Sequence, residues 1–421
     1  MNLRSRIVAG MSAGVLVCVA GLQSSLGDGF RNPPDGASSL GRAGARLTRG
    51  EDPSVIAHNP ANLMDLEGTV VTPAATIAYS EVEYTSPAGV SEKTEDPWRV
   101  LPSVFAARRS GDGRYACGIG LNFPYGQLTE WKSDGLFRVT APYKAEMTTW
   151  NTTPAAAMQV TDALSIGVGV NLAYSELEFN QNLPWLPLPA GLTGPASPMT
   201  FDGDGWGVGA KVGCTWSIND RQRVAVAYQS PIDVDYEGDF TIENAPPGLP
   251  AARSDFETEI RFPSIVAVGY DLQATERLRL EANVEWIEHS RNDAIGLDIG
   301  VNNPVLVSAL GSTAVPQEWD DTVAVDIGGD YRLHDRCVLR AGWTWLPTPV
   351  PERTLSTTQP ESDRHMVGVG IGLGSDDNML DLAFNYGIAE DVTVTDNVNP
   401  AVNGTYEFTS TLLAVSYSRT F

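Results

Sequence analysis

The sequence predicts an all-β chain: a transmembrane antiparallel β-barrel of about 14 strands. Three observations carry that prediction. From about Glu67 to Phe421, bulky residues alternate with small or polar ones at period two, over and over. The connections between these segments are short and long by turns, as in barrels with tight periplasmic turns and larger outer loops. After the amino terminus no stretch offers the roughly 18 uninterrupted apolar residues of a spanning helix. Composition agrees. With 421 residues, 28 Lys+Arg, 52 Asp+Glu and a formal charge of −24, the chain lacks the basic face that nucleic acid requires. At 42% hydrophobic and 19% charged it is not disordered, and its 41 Gly and 28 Pro suit many strands and turns.

Residues 1–27 read as a secretory signal. Arg4 and Arg6 form a basic start, Ile7 to Leu22 an apolar stretch, and Ser25 and Gly27 the small residues before a cut at Asp28. Cys18 does not make a lipoprotein signal, because Val17 occupies the place of the small residue needed before it. Residues 28–66 do not alternate and form a separate N-terminal segment; residues 67–421 form the barrel.

The alternating segments run Glu67–Thr85, Arg99–Arg109, Arg114–Pro124, Tyr143–Val160, Ala163–Asn180 and Gly205–Ile218. They continue with Gln222–Ile242, Phe256–Leu272, Glu276–His289 and Trp319–Leu333. The last are Arg336–Leu346, Asp363–Gly374, Asn378–Val394 and Thr405–Phe421. An even count returns both ends of a bacterial barrel to one side. Short turns are expected at Ser110–Gly113, Thr161–Asp162, Asn219–Arg221, Gln273–Thr275, His334–Asp335 and Ser375–Asp377. Long connections are expected at Gln181–Asp204, Glu243–Asp255, Ser290–Glu318 and Pro347–Ser362. Trp98, Trp206, Trp286, Trp319, Trp343 and Trp345 fall at loop-side strand ends and Trp216 at a turn-side end, where interfacial girdles stand.

The bulky face belongs in lipid, which turns Lys211, Arg279, Glu281, Asn283, Asp326 and Asp381 toward the lumen. By the same phase Cys117, Cys214 and Cys337 face lipid on different strands, so no disulfide is expected. His58, His289, His334 and His365 are scattered and read as plain surface or interface residues. Beyond the signal segment no GxSxG, HExxH, Walker A or metal-ligand spacing occurs, so neither an enzyme nor a cofactor is expected. The loop Leu183-Pro184-Trp185-Leu186-Pro187-Leu188-Pro189-Ala190-Gly191-Leu192 is unusually apolar for an exposed connection, and exposed apolar patches mark binding. The loop around Leu249 could face it. A carboxylate ligand would want a lumenal cation, for which Lys211 and Arg340 have the right phase.

Several motifs then point to a family. The N-terminal segment reads Gly29-Phe30, then Gly41-Arg42-Ala43, then Asn59-Pro60-Ala61. Asn122-Phe123-Pro124-Tyr125-Gly126 is followed by Trp131, and Pro360-Glu361-Ser362-Asp363-Arg364 precedes the twelfth strand. In this order the motifs resemble those of the outer-membrane long-chain fatty acid and aromatic hydrocarbon transporters, the FadL/TodX family, along the whole mature chain.

The resemblance implies an outer-membrane protein whose N-terminal segment is a hatch, or plug, inside the lumen. Phe30, Asn59, Pro60 and Ala61 would belong to that hatch and its gating. Trp185, Leu186, Leu188, Leu192 and Leu249 would line a capture groove formed by the outer loops. Asn122 to Gly126 would frame a lateral exit at strand three. Uptake would be passive, with fatty acids or hydrocarbons as ligands and no nucleotide or ion motor. Outer-membrane lipid and lipopolysaccharide would surround a monomer, and the barrel assembly machinery would read the terminal Phe421. Where family members carry a basic residue near the end of strand five, this chain has Tyr174-Ser175-Glu176, which leaves open whether the ligand is a carboxylate or neutral. A general porin for polar solutes and an adhesin or structural barrel are the alternatives.

Overall fold

A computed structural model describes residues 28–184, 196–244, 252–300, 314–375 and 377–421. Fourteen antiparallel strands close into one barrel. They are β1 (Thr69–Thr85), β2 (Trp98–Arg109), β3 (Tyr115–Glu130), β4 (Lys144–Thr161), β5 (Leu164–Leu183) and β6 (Ser197–Asn219). β7 runs in two stretches, Gln222–Gln229 and Ile232–Ile242, and β8 likewise, Ala252–Phe262 and Ile265–Gln273. β9 (Leu278–Ile287), β10 (Thr322–His334), β11 (Cys337–Leu346), β12 (Arg364–Ser375), β13 (Asn378–Ala389) and β14 (Gly404–Thr420) complete the wall. β14 pairs with β1 from Val70↔Thr420 to Thr85↔Thr405, which closes the ring. Closure gives each strand a partner on both sides, the condition for crossing lipid, save for a stretch where β2 and β3 part.

The burial pattern is that of a barrel in lipid. On β5, Ile166, Val168, Val170 and Leu172 are exposed, while Ser165, Asn171 and Ala173 between them are buried. Lys211, Glu281, Asn283, Asp326, Arg340 and Asp381 are all buried in the interior, as their phase requires. The expected turns sit on the side where Thr69 N–H donates to Phe421 O, so both barrel ends share it. The strand ends that lead into the long connections lie opposite. Trp98, Trp206 and Trp216 stand outward at 61%, 68% and 51% exposure, as girdle residues do.

Four expectations are corrected. Trp319 is not in the girdle; it is buried against Phe30, because it lies in a connection that folds into the mouth. His289 is not a plain surface residue: it is fully buried, with Nε2 3.2 Å from Asp28 Oδ1. Cys337 keeps its outward phase but is covered at the turn, between its cross-strand partners His334 and Leu373. β6 starts at Ser197 rather than Gly205, because its first residues pair with the end of β5 above the spanning region.

The side assignment gives a direct expectation. Ala88→Cys, in the exposed connection after β1, should react with an impermeant maleimide in intact cells. Asp220→Cys, in the turn between β6 and β7, should react only after permeabilisation. The reverse pattern would invert the orientation.

Candidate functional site

The β2–β3 seam is where the wall departs from regularity. β2 and β3 pair over six positions, from Arg109↔Ala116 to Val104↔Leu121, and no further. Above that, Trp98–Ser103 of β2 remain paired to β1, and Tyr125–Glu130 of β3 to β4. The register of β3 shifts between Asn122 and Tyr125, around Pro124, which has no N–H to donate. β3 therefore does not end at Pro124, as its sequence suggested; it parts from β2 there and continues to Glu130.

Backbone groups freed at the parting need partners. The N-terminal segment supplies them from inside. Asn32 N–H donates to Pro124 O and Gly126 N–H to Phe30 O, each at 2.9 Å, and Asn32 Nδ2 donates to Phe123 O at 2.8 Å. Asn122 Nδ2 donates to Asp35 Oδ2 at 2.5 Å. The segment then forms one helical turn, α1 (Ala37–Leu40), and two 3-10 turns, Pro53–Ala57 and Pro60–Asp65. Asp52 and Asn59 cap the 3-10 turns by accepting from Ser54 N–H and Ala61 N–H, as short side chains before a helical Pro do. Gly29 must be glycine: its φ is +62°, and a Cβ there would stand 2.9 Å from the His289 ring.

Ion pairs hold this segment to the wall on the turn side. The fully buried Arg42 reaches Asp330 at 2.8 Å and Glu51 at 3.3 Å. Arg340 reaches Asp381 at 2.5 Å, Glu51 at 2.9 Å and Asp330 at 3.4 Å. Arg279 pairs with Asp271 at 3.0 Å and Asp330 at 3.3 Å. Glu281 accepts from the backbone of Leu47 and Thr48. Small wall residues allow this proximity. A Cβ on Gly167 would strike the backbone of Pro60 and Ala61. Gly167→Val should therefore unseat the second 3-10 turn and open the N-terminal segment to trypsin in solubilised protein. Unchanged resistance would mean that the wall yields instead.

Beside a cleft on the turn side, lined by Glu51, Arg279, Asp330, Arg340 and Asp381, two cavities lie along the lumen among the described residues. The outer one, about 340 Å³, is lined mainly by Leu177, Phe179, Met199, Phe201, Phe256, Ile260, Leu297 and Leu355, with Phe30 also on its lining. The inner one, about 150 Å³, mixes charged and polar groups, namely Arg31, Asp35, His58, Lys211, Gln229, Glu285, Asp326 and Asn385, with the apolar Leu346, Met366 and Leu412. Asn122, Pro124 and Tyr125 at the strand parting line it as well. Aromatic rings separate the two. Phe30 packs on Trp319 and Phe262 with centroids 4.9 and 6.1 Å apart, and Phe262 stacks on Tyr125 at 4.1 Å. In the inner cavity, burial lifts the Asp35 carboxyl to about 6 against the pull of Asn122 and Lys211. Burial, then the charges of Arg46 and Lys211, hold the His58 imidazole down to about 3, so it is neutral.

The structure brings together part of what the sequence singled out. Phe30 stands at the septum; Asn59, Pro60 and Ala61 stand against β5 and β6, where Asn59 Nδ2 donates to Thr215 Oγ1 at 3.0 Å. Asn122, Phe123, Pro124, Tyr125 and Gly126 span the parting of β3 from β2. Lys211 lines the inner cavity with Nζ donating to Ala57 O at 2.6 Å. Arg340 is not in that cavity; its guanidinium is taken up by three carboxylates. Trp185, Leu186, Leu188, Leu192 and Leu249 lie outside the described residues. The septum partners Trp319 and Phe262, and Arg31 with Asp28 and Glu285 at 2.6 and 2.9 Å, were not anticipated. No local signal marks the septum or the Arg31–Glu285 pair, whose partners lie far apart in the chain, whereas Arg31 and Asp28 are neighbours three positions apart.

Among the described residues no group of His, Cys, Asp and Glu is arranged to hold a metal ion. The chain matches, over residues 16–421, the family model described as outer membrane protein transport protein (OMPP1/FadL/TodX). It is 23% identical over 428 residues to the long-chain fatty acid transport protein of Escherichia coli K12, covering 91% of each chain. Its fold is similar to that of a Pseudomonas aeruginosa FadL homologue, with a TM-score of 0.80 at 20% identity, covering 93% of this chain and 99% of that one. It is also similar to the Ralstonia pickettii toluene transporter TbuX, with a TM-score of 0.72 at 18% identity over 92% of this chain and 99% of the other.

Proposed function

The chain belongs to the outer-membrane transport family OMPP1/FadL/TodX, whose members are transport channels and not enzymes, and on that premise we propose that it is a passive, hatch-gated carrier of hydrophobic compounds. The bacterial outer membrane is its location. The observation that carries the proposal is the pairing of an apolar outer cavity with an inner cavity at the β2–β3 parting, divided by the Phe30–Trp319–Phe262 septum.

A hydrophobic molecule gains from leaving water for the outer cavity, where Phe179, Phe201 and Phe256 offer apolar surface. Capture by the outer loops, including Trp185, Leu186, Leu188, Leu192 and Leu249, would precede this step. Phe30 belongs to the N-terminal segment, so a shift of that segment moves one face of the septum. Asn59, Pro60 and Ala61 act as the fulcrum, being seated on β5 and β6. The molecule would pass to the inner cavity, where Lys211 is the nearer of the two cations singled out by phase, and leave sideways beside Asn122 to Gly126. The segment 28–66, tied to the wall by the Arg42–Asp330 and Glu51–Arg340 ion pairs, would deny polar solutes a continuous route.

Expression in a strain lacking its own carrier tests the reading. Growth on a long-chain fatty acid or on a monoaromatic hydrocarbon, with no swelling of proteoliposomes in sugar, is the expected result. Swelling with sugars and no growth would identify a general porin instead.

A further inference from the structure

Most lumenal arginines are answered by carboxylates: Arg31, Arg42, Arg46, Arg279 and Arg340 each have an ion pair within 3.4 Å. Arg364, the first residue of β12, is not. Its side chain is 98% buried, since only 2% of the residue is exposed, and neither Nε nor Nη1 has a hydrogen-bond partner. Among the described residues the acid that its charge feels is Glu361. The Glu361 oxygens are already engaged by Gly29 N–H at 3.1 Å, Thr348 Oγ1 at 3.3 Å and Gln359 Nε2 at 3.3 Å. Arg99, also buried, differs: it donates to Trp98 O at 2.5 Å and has Asp96, Glu130 and Glu146 around it.

The side chain of Arg364 crosses Gly387, with Cδ 3.3 Å from where a Cβ of that residue would stand. Ser410 Oγ occupies the same space, is buried, and also lacks a partner. These orphaned donors sit on β12 and β14, the two strands that flank β13, facing one point over Gly387. Neither Arg364 nor Ser410 lines a cavity itself; the place lies among residues that do. Its cross-strand partner Leu346, with Met366, Asn385 and Leu412 next to it, lines the inner cavity, and the preceding Leu355–Gln359 lines the outer one.

A guanidinium cannot shed its proton, and a buried one without a counter-charge is costly. Its planar fork matches a carboxylate with two parallel N–H···O bonds. We infer that Arg364, with Ser410 beside it, receives the carboxylate of a ligand between the two cavities, so that the chain prefers amphiphilic acids to neutral hydrocarbons. This rests on the uptake reading above and narrows its substrate class. The site answers the question left by Tyr174-Ser175-Glu176 on β5: the cation comes from β12 instead. An alcohol of the same chain length would bury the same apolar surface and leave the guanidinium without its anion.

The test is binding of oleate and of oleyl alcohol to the purified protein in lipid nanodiscs at pH 8. Wild type should bind the acid about tenfold more tightly than the alcohol, the effect of one charge-assisted contact. Arg364→Met should bind both alike, while Arg364→Lys keeps part of the preference. Ser410→Asp sets an internal carboxylate beside the guanidinium. It should abolish the preference and raise the melting temperature, and it keeps the test decisive where Arg364→Met fails to assemble. Equal binding of acid and alcohol by wild type would overturn the inference and leave the uptake reading standing. So would an undiminished preference in both Arg364→Met and Ser410→Asp. If wild type binds neither compound, the inference and the uptake reading fall together.

Discussion

Arg340→Met is expected to loosen the N-terminal segment and to destabilise the folded barrel by about 3–5 kcal/mol, the cost of leaving a buried charge without its partner. Arg340 is buried and reaches Asp381, Glu51 and Asp330 at once. Asp330 keeps Arg42 and Arg279, whereas Asp381 has Arg340 as its one ion-pair partner among the described residues. The orphan is therefore Asp381, and the double variant Arg340→Met/Asp381→Leu should recover most of the loss. The temperature at which the compact barrel unfolds in detergent measures the first effect. Sugar entry into proteoliposomes measures the second, because Glu51 ties the N-terminal segment to the same network. If the single variant melts with wild type and stays sealed, the network is not what seats the segment.

Phe256→Asp is expected to lower uptake of hydrophobic ligand by roughly 10- to 100-fold at matched surface abundance. Phe256 is 1% exposed, sits edge-on to Phe201 at 5.3 Å and lines the outer cavity. A carboxylate in its place removes burial worth about 1.5–3 kcal/mol for a large apolar group and adds a charge that an apolar ligand would have to desolvate. Glu257→Gln is the control: its neighbour on the same strand is exposed on the other face, so uptake should not change. Wild-type uptake by Phe256→Asp would take the outer cavity off the route, while the barrel would stand.

Much of this architecture is written locally in the chain. The pleat sends successive side chains to opposite faces, so Ile166, Val168, Val170 and Leu172 announce both a strand and its lipid-facing side. Fourteen such stretches and the rhythm of their connections determine strand number, antiparallel order and the side of the termini. The break at Pro124 was visible too, because a residue without an N–H cannot continue a regular ladder. That β3 goes on to Glu130 was not, since its continuation depends on β4 and on Phe30–Asn32 arriving from inside. Partner assignment was equally hidden. Strand phase makes Lys211, Arg340 and Arg364 equivalent lumenal cations. Only the folded barrel brings Glu51 and Asp381 to Arg340 and Ala57 O to Lys211, and leaves Arg364 without an ion pair among the described residues. Period and turn length are properties of neighbours along the chain, and the sequence by itself determines them. Which charges compensate, and which rings divide the lumen, depend on residues that the fold brings together, as Glu51 with Arg340 and Phe30 with Trp319, and only the tertiary structure decides them.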